Sequence, residues 1–276
     1  MNRRAFAQRL VVSVPALVAL SSVANDVHAQ QAGQQAPPPP TPPAGRGQFD
    51  GSPVGDPLPG QKWRAHDRSR PQPRKVVPGQ PIPTPAAPSD AIVLFDGKDL
   101  SKWQPTDCKL VDGCIEAVGN LTSKQSFDDC QIHLEWMAPA DFKGPWYNQG
   151  NNGVFLMGLY EIQIFDSWNE KLYPDGQAAA IYGQTPPRVN ATRPPGQWQS
   201  YDIVFTAPVF ADGKLVRPAR VTMFHNGVLV HLNEEIRGET GHRILPEYRT
   251  KVSLGPLVLS GHDCPVRFRN IWVRPL

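Results

Sequence analysis

The chain has 276 residues, 31 of them proline, and a formal net charge of +3 at pH 7. So small a charge gives no electrostatic footprint for a nucleic-acid partner. Past the N-terminus no run reaches the roughly 18 apolar residues that a spanning helix needs, which argues against a membrane span.

Residues 1–29 read as an export signal. Arg3 and Arg4 precede an apolar run from Leu10 to Leu20, and Val27-His28-Ala29 offers small residues where a signal peptidase reads. Arg3-Arg4 followed by Ala5-Phe6 resembles a twin-arginine signal. The expected destination is periplasmic or extracellular, with the remaining chain nearly neutral. An uncleaved anchor is the alternative, against which the short apolar run and Pro15 speak.

Residues 30–88 hold about half of all the prolines. This composition predicts a mostly extended, poorly ordered arm that acts as a tether and is dispensable for folding. Trp63 to Pro78 (WRAHDRSRPQPRKVVP) differs in carrying a tryptophan, a histidine and several basic residues. It reads either as a solvated basic arm or as a segment lying across the domain and lending His66 or Asp67 to a site edge.

From residue 89 to the C-terminus the pattern is β, in a length sufficient for one well-packed domain. Asp112-Gly113 separates Lys109–Val111 from Cys114–Ala117, and Asn226-Gly227 separates Val221–His225 from Val228–His231. Both dipeptides are hairpin signals, because these residues tolerate the positive φ of tight turns. Gln131–Met137 alternates, with Ile132, Leu134 and Trp136 sharing one face. Tyr201–Thr206, Val252–Leu259 and Val266–Val273 add further strands. Many short antiparallel strands predict an all-β jelly-roll sandwich. Cys108, Cys114, Cys130 and Cys264 include no CxxC pair. They allow three full disulfide pairings in an oxidising compartment, or stay as individually buried thiols.

The stretch NNGVFLMGLYEIQIFDSW, residues 151–168, carries the most chemistry. It reads as two short strands joined at Gly158. Alternation puts Tyr160, Ile162 and Ile164 on one face and Glu161 and Gln163 on the other, with Asp166 at the strand end. A carboxylate and an amide on an otherwise apolar strand, with a second carboxylate beside them, suit acid/base work on a polyhydroxylated ligand. Glu161 facing solvent and Asp166 forming a turn are the plainer readings. Trp146, beside Gly144-Pro145, has the flat apolar face and polar N–H that suit stacking on a sugar ring. Arg269, in FRNI, reads either as a strand brace or as a substrate contact.

Several stretches together resemble the 3-keto-disaccharide hydrolase domain family. IVLFDGKDLSKW (92–103) is similar to its opening motif. The stretch just described and GQAAAIYGQTPPRVNATRPPGQWQSYDIVF (176–205) are similar to its central block. PARVTMFHNGVLV (218–230) and GPLVLSGHDCPVRFRNIWVRPL (255–276) are similar to its closing block. The resemblance covers residues 92–276 with the motifs in order. It implies a concanavalin-A-like jelly roll with the ligand site on the concave sheet, and cleavage of 3-keto-glycosides or 3-keto-disaccharides. It points to Glu161, Asp166 and His262 as catalytic and to Gln163, Trp146, Asn152 and Arg269 as substrate-binding. Asn152 stands where the family usually has serine, and Gly261-His262-Asp263-Cys264-Pro265 stands where it often has D-H-G-N-P. A divalent metal ion acting as Lewis acid on the developing enolate would suit this chemistry. A non-catalytic carbohydrate-binding module is the competing function, since jelly rolls host both roles.

Overall fold

The computed structural model describes residues 55–81, 84–169 and 172–276. The expected export signal, and the arm as far as residue 54, lie outside these. The described strands are, in chain order, β1 (Arg74–Lys75), β2 (Ile92–Phe95), β3 (Lys109–Val111), β4 (Cys114–Ala117), β5 (Leu121–Phe127) and β6 (Cys130–Met137). There follow β7 (Asn152–Leu156), β8 (Tyr160–Ile164), β9 (Val189–Asn190), β10 (Gln199–Thr206), β11 (Val209–Ala211) and β12 (Lys214–Arg217). The last four are β13 (Arg220–His225), β14 (Val228–Glu235), β15 (Gly255–Ser260) and β16 (Val266–Pro275).

Two antiparallel sheets make the jelly-roll sandwich. The larger has the order β14-β13-β10-β6-β16-β4-β3, with β2 also pairing with β16; the smaller has the order β5-β15-β7-β8. Ile132, Leu134 and Trp136 of β6 and Tyr160, Ile162 and Ile164 of β8 meet in one buried cluster between them. Each of the isoleucines and the leucine removed from water contributes about 1.5–3 kcal/mol. The Tyr201 hydroxyl, on β10, donates to the Gln163 carbonyl on β8 at 2.7 Å and so bridges the sheets.

The hairpins form where the turn residues predict them. Asp112 and Gly113 have φ of 52° and 71°, and Asn226 and Gly227 have 52° and 76°. The β7–β8 turn uses Met157 and Gly158, at 55° and 69°. The strand expected from Val252 starts only at Gly255. All four cysteines are buried and unpaired.

The tether expectation needs correction for the described part of the arm, which is docked and hydrogen-bonded. Leu58, Ala65 and His66 are buried. β1 pairs in parallel with β9, Gln72 Nε2 donates to the Leu172 carbonyl at 2.7 Å, and Arg70 Nη1 donates to the Gln184 carbonyl at 3.0 Å. Average composition hid this, because a few apolar side chains and backbone pairs hold a segment whose other residues are solvated.

Candidate active site

The outer face of the smaller sheet carries a cleft of about 440 Å³, within the size range of small-ligand sites. Strand alternation builds its floor. With Tyr160, Ile162 and Ile164 turned into the core, Glu161 and Gln163 face outward, beside Phe155 of β7 and Ser260 of β15. Gly153 lies opposite Gln163 and Ser260 in the register. A Cβ on Gly153 would collide with the Glu161 carboxylate, so the missing side chain is what lets that carboxylate lie across the floor.

Loops supply the walls. Thr240 accepts the Glu161 backbone N–H through its hydroxyl at 2.9 Å and donates its own N–H to the Leu159 carbonyl. These bonds fix Gly241 and His242 at the strand edge. On the same edge the Tyr182 N–H donates to the Glu161 carbonyl at 3.0 Å, which sets the Tyr182 ring beside Tyr173. The two phenol oxygens are 2.7 Å apart, and the Tyr182 hydroxyl is 3.1 Å from His242 Nδ1. Tyr147, Asn151 and His262 complete the rim.

The cleft is open at its rim, where His242 and His262 are exposed, and half-buried at Glu161. Loss of water pushes the Glu161 carboxyl up to about 8, and no described side chain donates to it. Burial pushes Tyr173 and Tyr182 well above the usual phenol range. Burial, helped by Arg243 and His262, lowers His242 and favours its neutral form. Gln163 is buried, and its Oε1 has no partner among the described residues.

Of the residues singled out in the sequence, Glu161, Gln163 and His262 share this cleft; the others do not line it. The Asp166 carboxylate accepts the backbone N–H groups of Trp168 and Asn169 and the Asn169 side-chain amide. It orders a turn at the strand end, as the plainer reading had it. Trp146 packs beside Phe165, Leu172, Tyr173 and Tyr182 with the Arg68 guanidinium 5.1 Å over its ring. That face is covered, and its neighbour Tyr147 reaches the cleft instead. Asn152 is buried and donates to the Asn151 and Cys264 carbonyls, tying β7 to the loop that carries His262. Arg269 lies on the larger sheet, 2.7 Å from Glu135 Oε2 and stacked on Trp198, which is the brace reading. The sequence reading missed Tyr173, Tyr182 and His242, whose loops carry no periodic signal. Among the described residues no three His, Cys, Asp or Glu side chains converge on a point.

The model of the 3-keto-alpha-glucoside-1,2-lyase-like domain matches residues 90–274. A crystal structure of a candidate glycosyl hydrolase from Parabacteroides distasonis ATCC 8503 is 40% identical, with 75% of this chain and 93% of that chain covered and a TM-score of 0.68. A second candidate glycosyl hydrolase from the same organism is 19% identical, covering 68% and 94% with a TM-score of 0.50, and supports the fold alone. Comparison with curated proteins finds no match. By the length of the family match and by its likeness to the first of these structures, the chain belongs to the 3-keto-alpha-glucoside-1,2-lyase-like domain family.

Proposed function

We propose that this protein cleaves glycosides whose sugar has been oxidised to a ketone at C3. The observation that carries the reading is Glu161, a half-buried carboxyl raised by burial and without a donor among the described side chains, on a cleft floor beside neutral hydrogen-bonding groups. A C3 ketone acidifies the C2 proton. Glu161 takes that proton as general base, and the electron pair passes to the C3 oxygen as an enolate. The enolate re-forms the ketone and expels the C1 substituent, leaving a C1=C2 double bond. His262 gives the departing oxygen its proton. Water then adds, with hydroxyl at C1 and a proton returned to C2.

A base whose pKa lies near the working pH is effective both in taking and in returning a proton. The Tyr182–His242 pair is suited to donate to the enolate oxygen, and preorganised donors aimed at developing charge are the larger part of such catalysis. Gln163 Oε1 would accept from a sugar hydroxyl. The leader over residues 1–29 would carry the protein out of the cytoplasm. Among the described residues no helix is long and apolar enough to cross a membrane.

The test is incubation with a 3-keto-disaccharide and with its unoxidised parent, following release of the 3-keto sugar. Release from the ketone alone is expected. Binding of both without release would make the protein a carbohydrate-binding module.

A further inference from the structure

The family match begins at residue 90, yet the wall behind the cleft is finished by a residue upstream of it. His66 is 2% exposed. Its ring lies 4.2 Å from that of Tyr173, 5.2 Å from that of Tyr182 and 5.4 Å from that of His242, against which it stacks. All three line the cleft.

The nitrogens of His66 are not equivalent. Nε2 accepts the Arg243 backbone N–H at 3.1 Å, so the ring proton sits on Nδ1, 3.9 Å from Asp175 Oδ1. The His66 backbone N–H donates to Asp175 Oδ2 at 2.9 Å, and Asp175 is fully buried. His66 also holds a φ of 62°, which is uncommon for a residue with a side chain and persists only where the surroundings enforce it. A bland arm needs none of this. A left-handed backbone and a buried carboxylate fix the buried ring of His66, and that ring is aimed at the backbone of one residue, Arg243, next to His242.

We propose that His66 is a positioning residue. It holds the Arg243 backbone and the His242 ring so that the Tyr173–Tyr182–His242 hydrogen-bond chain presents a fixed donor to the cleft. The segment around residues 63–76 is then part of the site, not a tether. The catalytic side of this inference rests on the lyase reading above. A donor held in place acts on the enolate and little on the ground state, so its loss lowers kcat more than it raises KM.

The test uses the full chain. His66→Phe keeps a ring but removes the acceptor for Arg243, and His66→Gln keeps an acceptor without the ring. His66→Phe is expected to lower kcat about ten- to hundredfold with KM within about twofold, and His66→Gln to recover most of that loss. His66→Phe combined with Tyr182→Phe should be no worse than Tyr182→Phe alone, because both act through one donor. Wild-type kcat in His66→Phe, or losses that multiply in the double variant, would overturn the proposal. Should His66→Phe fail to fold, His66→Asn, which suits the left-handed backbone better, replaces it as the loss variant. Should the wild type leave 3-keto-glycosides uncut, the lyase reading fails and nitrogen NMR of His242 decides the positioning claim. A shifted His242 Nδ1 resonance in the loss variant, restored in His66→Gln, supports it; an unchanged resonance refutes it.

Discussion

Gly153→Ala should lower turnover about a hundredfold while leaving the melting temperature almost where it is. A Cβ at this position would lie 2.8 Å from both Cγ and Cδ of Glu161, against about 3.5–4.0 Å for ordinary carbon contacts. The carboxyl end must therefore move by roughly 1 Å. A displacement of that size at a reacting group costs about 10² in rate, or about 2.7 kcal/mol of barrier. Stability should hardly change. The colliding atoms end a flexible side chain, whose shift off its rotamer costs about 0.5–1.5 kcal/mol. Alanine regains about 0.5–1 kcal/mol over glycine in a strand. The net is within about 1 kcal/mol, or roughly 2–4 °C for a domain of this size. Steady-state kinetics on a 3-keto-disaccharide, run beside a thermal melt, measure both quantities. Undiminished turnover in a folded Gly153→Ala protein would refute the placement of Glu161 at the reacting centre.

Three further outcomes follow from the same geometry. If Glu161 is the base, kcat/KM should rise about tenfold per pH unit below about 8 and level off above it; a profile that is flat from pH 6 to 9 would remove Glu161 from that role. On the larger sheet, burial opposes a charge on His133, but the Asp202 carboxylate at 2.6 Å and Glu135 outweigh it and lift His133 to about 9. A folded-state value above the unfolded one gives stability that is complete below about 6.5 and lost as pH rises through 9, so the melting temperature should fall between pH 7 and 10 and Asp202→Asn should flatten that fall; equal slopes in the two proteins would contradict the pairing. Because no three donors converge among the described residues, exhaustive dialysis against a chelator should leave turnover unchanged, and a loss restored by one divalent ion would show that the site takes a metal.

The sheets were legible where local chemistry decides the outcome. Asp112-Gly113 and Asn226-Gly227 adopt the positive φ they suggest, and alternation along β8 sorts Ile162 and Ile164 from Glu161 and Gln163. The same dipeptide at Asp212-Gly213, with φ of 50° and 69°, joins β11 to β12. Long-range assembly was the harder part. Tyr182 and His242 meet across 60 residues, and His66 reaches Arg243 across 177; neither pairing leaves a periodic trace. Asp166 and Arg269 show the opposite case. Each carries chemically capable groups, but Asp166 is used up by a turn and Arg269 by Glu135.

The most direct test of the lyase reading is the reaction run in heavy water. Removal of the C2 proton followed by hydration requires the released 3-keto sugar to carry deuterium at C2, seen by mass spectrometry and proton NMR, with no incorporation in a Glu161→Gln control. Release of the same sugar with the C2 proton retained, and no slower from a C2-deuterated substrate, would mean direct displacement at C1 and would contradict the elimination on which the roles of Glu161, His242 and His262 all rest.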